Sequence, residues 1–227
     1  DEVRINGFLC RNEQILALAR RHGVQDGIEE LVCSLARAKL DEADALLRQV
    51  DAGWSPPPFD PLLVAQALGI RCLAVDRDDL EDAMIYAPQG QPTILFQQKR
   101  AGVRRRFSLF HEIAHTLFPD FEPAYRQRRR PLFDPDGQLE YLCDKAAAEF
   151  LMPMDLFWVD LLEKGFGATR LPALCRRYGA SVEAVALRMV QADMQPCAVA
   201  LFGQRRLPQK RQKRQKHLEL VLGDSDV

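Results

Sequence analysis

The residues best suited to chemistry are His111, Glu112 and His115, which share an H-E-x-x-H spacing inside the apolar stretch RFSLFHEIAHTLF, Arg106 to Phe118. On a helix, His111 and His115 stand one turn apart on one face, where two imidazoles can converge on a single Zn2+. Glu112 lies roughly 100° around the same helix, which suits a general base working beside the metal without binding it. This is the pattern of a zinc-dependent peptidase. The plain alternative is a pair of core or surface histidines with a helical ion pair. The chain has only four histidines, and two of them fall at this spacing on an apolar segment, which favours the metal.

A catalytic zinc takes three protein ligands and a water, so one ligand is still needed. The helical stretch Gln138–Met152, closed by Pro153, offers Glu140 and, one turn on, Asp144. Glu140 can bind the metal, and Asp144 can accept the second N–H of a ligand histidine and fix its tautomer. Glu149 competes, but it lies about 180° around the helix from Glu140, so the two cannot both face the metal. The small run Ala146–Ala148 allows a close approach to the first helix and favours Glu140. Held by His111, His115 and Glu140, zinc lowers the pKa of a water towards ~7. Glu112 takes the proton and returns it to the leaving amine. Tyr86, Tyr125, Tyr141 and the loop arginines Arg126 and Arg128–Arg130 are candidates for stabilising the oxyanion.

Elements are needed to hold these groups. Asn12 can cap a helix running to about Arg21, with Gly23 just past its end. Asp26-Gly27-Ile28-Glu29 has the form of a capping box, opening a longer amphipathic helix to Val50 that carries no evident chemistry and serves as scaffold or docking element. Asp51-Ala52-Gly53-Trp54-Ser55 and three prolines mark a boundary. Asp60 caps a further helix, with Pro61 at its first position and Gly69 past its end. Ile70–Val75, Met84–Tyr86 and Thr93–Phe96 follow as strands, with a turn at Pro88-Gln89-Gly90. An exposed sheet edge can hold an extended peptide by main-chain hydrogen bonds. Thr93, Ile94, Leu95 and Phe96 are the preferred edge, an ordinary core strand being the alternative. The active-site helix is expected from Gly102 or Val103 to Leu117 or Phe118, with Arg104–Arg106 facing solvent. Asp120–Gly137, with Arg126 and Arg128–Arg130, is expected to be a long loop, either a solvated insertion or a basic lid.

Beyond Pro153, Asp155–Lys164 is expected to be a helix closed by Gly165. Leu171–Gln191 has the shape helix, tight turn, helix, with Ser181 as N-cap. Arg176, Arg177 and Arg188 there could touch phosphate, but a hairpin that completes the core is preferred. Cys197–Phe202 and Leu218–Leu222 look like strands. Between them Gln204–His217 holds seven Lys and Arg and no acid, a solvated run or a nucleic-acid contact through Arg205–Lys216.

Over the whole chain 31 basic and 32 acidic residues nearly cancel, leaving no net field to recruit nucleic acid. Six scattered cysteines without a C-x-x-C pair argue for buried free thiols and against a zinc cluster. No apolar run approaches the ~18 residues of a membrane span, and cytoplasm is the expected compartment. Beginning at Asp1 without Met, the chain is expected to be part of something longer. The resulting organisation is α+β: an N-terminal helical segment 1–52, a metallopeptidase core 53–165, a helical hairpin 166–195, and a strand plus basic segment 196–227 that opens a further domain.

Arg106-Phe107-Ser108 ahead of H-E-x-x-H, with Glu140-x-x-Cys143-Asp144 running into Ala147-Ala148-Glu149-Phe150-Leu151-Met152-Pro153, resembles the ImmA/IrrE family of zincin-like metallopeptidases. The proline-rich opening, the D-P pair, the helix ending in L-G-I and the strands from Pro56 to Phe96 extend the likeness to roughly residues 55 to 195. The resemblance implies a zincin-like core of small sheet, active-site helix and glutamate helix. It also implies His111, His115 and Glu140 as zinc ligands and Glu112 as general base. The implied substrate is a helix-turn-helix transcriptional repressor or other stress regulator. The long basic loop before Glu140 and the extra N-terminal helices depart from the family. The rival function is a nucleic-acid-associated sensor with a structural or silent zinc. Glu112 weighs against it, because a structural site has no use for that carboxylate.

Overall fold

The structure, a computed structural model, describes residues 2–76, 80, 82–119 and 133–200. Strands β1 (Arg4–Ile5) and β2 (Phe8–Leu9) form an antiparallel hairpin. Helix α1 (Glu13–His22) starts where the Asn12 side chain accepts from the main-chain N–H groups of Gln14 and Ile15, and it ends at left-handed Gly23, as the sequence led one to expect. Helix α2 (Ile28–Val50) departs from expectation at its start. Gly27, with φ 76°, precedes it without any side-chain cap, so the capping box at Asp26–Glu29 does not form. Glu29 is drawn elsewhere. Its carboxylate accepts from the Asn6 N–H and the Tyr141 hydroxyl and pairs with Lys145, tying the hairpin to a later helix. One face of α2 buries Val32, Ala36, Leu40, Ala43 and Leu47, while Leu46 and Val50 stay exposed.

Helix α3 (Pro61–Ala67) is capped by the Asp60 carboxylate, with Pro61 at its first position. Strands β3 (Arg71–Val75), β4 (Ala83–Tyr86) and β5 (Thr93–Gln97) make one sheet in the order β3-β5-β4, β5 running parallel to β3 and antiparallel to β4. This corrects the expected edge. Thr93, Ile94, Leu95 and Phe96 are the middle strand, each paired on both sides, Thr93 with Arg71 and Tyr86 for example. Their main-chain groups serve the ladder, and among the described residues the edges are β3 and β4.

Helix α4 (Gly102–His115) carries the H-E-x-x-H residues and ends a few residues short of Leu117. Helix α5 (Pro135–Leu151) begins earlier than expected. Asp134 accepts from the Asp136 N–H and Pro135 takes the first helical position, where a missing N–H costs nothing. The expected loop therefore does not reach Gly137, and its residues 120–132, Tyr125 and the four arginines included, lie outside the described residues. Alanines 146 and 147 are fully buried, and between α4 and α5 the Phe110 and Phe150 rings stack at 5.6 Å.

Helix α6 (Met154–Lys164) leads to α7 (Leu171–Tyr178) and α8 (Val182–Gln191), joined through left-handed Gly179 and capped by Ser181. Leu174, Tyr178, Val185 and Met189 of this hairpin enter the core. Two of the arginines considered for phosphate are paired with carboxylates of the protein itself. Arg177 pairs with Asp160, and buried Arg188 pairs with Glu149 and donates to the Met152 carbonyl. Asp1–Cys197 forms one compact unit and Ala198–Val227 a second. Residues 197–200 have no strand, and the remainder of the expected strands and the basic run Arg205–Lys216 lie outside the described residues. The fold is α+β. No described helix is long and apolar enough to cross a membrane. All six cysteines are free, with Cys10 and Cys143 buried, Cys33, Cys72 and Cys175 half-buried, and Cys197 exposed.

Candidate metal centre

Helix α4 is an interior helix over its last two turns. Leu109, Phe110, Ile113 and Ala114 hold it in the core, which sinks His111, Glu112 and His115 with them. Three ionisable side chains in so dry a place require partners, and α5 and β4 supply them.

Glu140, itself buried, lies between the two imidazoles. Its Oε2 is 3.0 Å from Nε2 of His111, and its Oε1 is 3.6 Å from Nε2 of His115. The two rings stand nearly edge to face, 74° apart with centroids at 5.1 Å. One donor atom from each of His111, His115 and Glu140 lies within 4.8 Å of the others. Two imidazole nitrogens and one carboxylate oxygen, converging in a buried space, fit a divalent cation and leave a tetrahedral ion one position for a water.

The outward ring nitrogens are also engaged. Asp144 Oδ1 is 2.7 Å from Nδ1 of His111, a contact of the kind that can fix a ring's tautomer. Cys143 Sγ is 3.4 Å from Nδ1 of His115, a contact that sequence reasoning missed. The available signal was the spacing, since Glu140, Cys143 and Asp144 fall at i, i+3 and i+4 on one face of α5.

Glu112 reaches in a different direction. Its Oε2 accepts from the main-chain N–H of Ile85 in β4 at 3.0 Å, a contact that no local pattern reveals. Glu149, the rival for third ligand, belongs elsewhere. It pairs with Arg188 and accepts from the Met154 N–H at 3.0 Å, capping the start of α6. Of the candidate oxyanion donors, Tyr141 is committed, its hydroxyl donating to Glu29 at 3.0 Å. Tyr86 lies at the end of β4, and Tyr125 is outside the described residues.

The arginines at the start of α4 were expected in solvent. Arg104 is exposed, as expected, while pairing with Asp82 at 2.6 Å. Arg106 is half-buried and donates to the Phe59 carbonyl, and burial holds its guanidinium pKa below the usual value. On the outer side of Asp144 a cavity of about 430 Å3 opens between α5 and α8, lined by Phe107, Tyr141, Lys145, Met152 and Leu187 among others.

A protein-family model, Peptidase_M78, described as the IrrE N-terminal-like domain, matches residues 65–190, which is 126 of the 227. The match begins inside α3 and ends inside α8, so it spans the three-stranded sheet and both helices of the centre. No curated protein matches the chain.

Proposed function

The chain belongs to the Peptidase_M78 (IrrE N-terminal-like) family of metallopeptidases, and on that premise we propose that it is a zinc-dependent endopeptidase with a zincin-like core, acting on a specific protein. The observation that carries this is the buried His111–His115–Glu140 group with the Glu112 carboxylate anchored beside it. Two imidazoles and one carboxylate suit zinc. When bound there, zinc supplies Lewis acidity and a water acidified towards neutral pKa.

The chain's own residues do the rest. Asp144 holds the His111 ring with Nε2 inward. Ile85 holds one oxygen of Glu112, and the carboxylate takes a proton from the attacking water and delivers it to the leaving amine. The substrate lies along β4 rather than β5. In an antiparallel pair, main-chain groups point alternately to the partner and away. Asp82 offers its carbonyl to Gln97 of β5, so Ala83 and Ile85 turn theirs to the open side, where Glu112 meets Ile85. A peptide added there by strand pairing would bring its scissile bond against Glu112.

Segments 1–52 and 166–195 act as scaffold for the 53–165 core. Free thiols at all six cysteines suit a reducing compartment, and we assign the cytoplasm. Helix-turn-helix repressors are the first substrates to test. The nucleic-acid module finds little support in the α7–α8 hairpin, where Arg188 is buried against Glu149 and Arg177 pairs with Asp160. Incubating the protein with candidate repressors, with and without a chelator and then with zinc restored, tests the proposal. One discrete cut, lost on chelation and regained with zinc, is expected. Cleavage indifferent to chelator would overturn it.

A further inference from the structure

One turn of α5 touches every nitrogen of the metal-binding pair. Glu140 faces both Nε2 atoms, Asp144 meets Nδ1 of His111, and Cys143 meets Nδ1 of His115. The two outward contacts differ in kind. The Asp144 side chain is half exposed to solvent, whereas Cys143 is completely buried. A histidine can present Nε2 to a metal only as the tautomer that carries its proton on Nδ1, and that proton needs an acceptor in a dry site. For His111 the acceptor is a carboxylate. For His115 the group at that place is a thiol, a weak acceptor but one that water cannot displace from the core.

We propose that Cys143 is a positioning residue for the metal centre: its sulfur accepts the Nδ1–H of His115, fixing the tautomer and the ring plane that aim Nε2 at the metal. The proposal rests on the metal site argued above. It gives the buried thiol a task that neither packing nor redox chemistry requires, and it makes the site asymmetric, with one histidine oriented by a wet carboxylate and the other by a dry sulfur. An alanine would fill most of the space and provide no acceptor, whereas a serine provides one.

The test loads wild type, Cys143→Ala and Cys143→Ser with Co2+ and reads two quantities. Chelator competition gives the Co2+ dissociation constant. Proton NMR in water gives the hyperfine-shifted, solvent-exchangeable Nδ1–H resonances of the two ligand histidines. Wild type should show two such resonances, the one from His115 exchanging slowly because it is buried. Cys143→Ala should move that resonance or speed its exchange, leave that of His111 in place, and weaken Co2+ binding by about 10-fold or more, the size seen when a partner of a ligand histidine is lost. Cys143→Ser should recover most of both. Unchanged resonances and affinity in Cys143→Ala, or a serine variant as weak as the alanine, would overturn the proposal while leaving the metal site standing. A wild type that takes up no Co2+ would overturn both. Should the alanine variant fail to fold by circular dichroism, the serine variant and the wild-type spectrum decide, and a wild type lacking a slowly exchanging His115 resonance counts against the proposal.

Discussion

The main-chain N–H of Ile85 donates to Oε2 of Glu112 across 3.0 Å, joining the outer strand of the sheet to the helix that carries both histidines. A buried carboxylate held by one backbone donor has a defined direction, which is what proton transfer at a fixed water requires.

Glu112→Gln keeps an oxygen that can accept from Ile85 and removes the proton acceptor. Cleavage should fall by about 10²–10⁴-fold, the usual weight of a general base, with zinc content by metal analysis unchanged. Full activity in that variant would sink the proposed mechanism.

Asp144→Ala removes the acceptor at Nδ1 of His111. Its side chain is 52% exposed, so the fold should survive with little change in Tm. Zinc affinity, measured by chelator competition, should drop about 10–100-fold. An affinity equal to wild type would show that His111 is oriented without it.

Arg188→Ala leaves Glu149 charged and buried beside α8. Loss of one partner of a buried pair costs about 3–5 kcal/mol, visible as a lower urea midpoint. Glu149→Gln should also destabilise without removing zinc from the protein that remains folded. A folded Arg188→Ala protein of normal stability would reopen the surface role once considered for that arginine.

The cysteines should respond to alkylation in order of burial. Cys33 and Cys72 are each pushed up to about 11 by burial, whereas Cys197 is exposed. A limiting dose of iodoacetamide near pH 8, followed by peptide mapping, should label Cys197 first. Because the raised values belong to the folded state, the stability linked to Cys33 and Cys72 is fully present below pH 9 and is lost as pH climbs towards 11. A chemical denaturation series from pH 8 to 11 should show that decline, and a flat profile would contradict it.

What could be seen in advance follows the range of the forces involved. Caps at Asn12, Asp60 and Ser181 were legible because each bond reaches only two or three residues along the chain. Glu140 and Asp144 were legible because one helix repeat puts them on one face. Strand order was not, since β5 is central only through partners 22 residues before it and 7 to 13 residues before it on its two sides. The loop was expected to run on to Gly137, yet Pro135 sits at the first turn, where a proline starts a helix as readily as it breaks one further in. Arg188 suggested a phosphate contact because its buried partner Glu149 lies 39 residues upstream. Separations of 27 and 28 residues likewise hid the contacts of Ile85 with Glu112 and of Cys143 with His115.

If a peptide pairs along β4, it lies against the same strand whose Ile85 N–H aims Glu112. Grip on the substrate and alignment of the base then become a single mechanical event. Residues of the substrate far from the scissile bond would steady the strand, and their binding energy would appear in the rate rather than in affinity. Trimming the substrate where it lies on β4 should therefore lower kcat more than it raises KM. Such an enzyme would tolerate many sequences at the cut itself and still ignore any chain too short or too folded to complete the sheet.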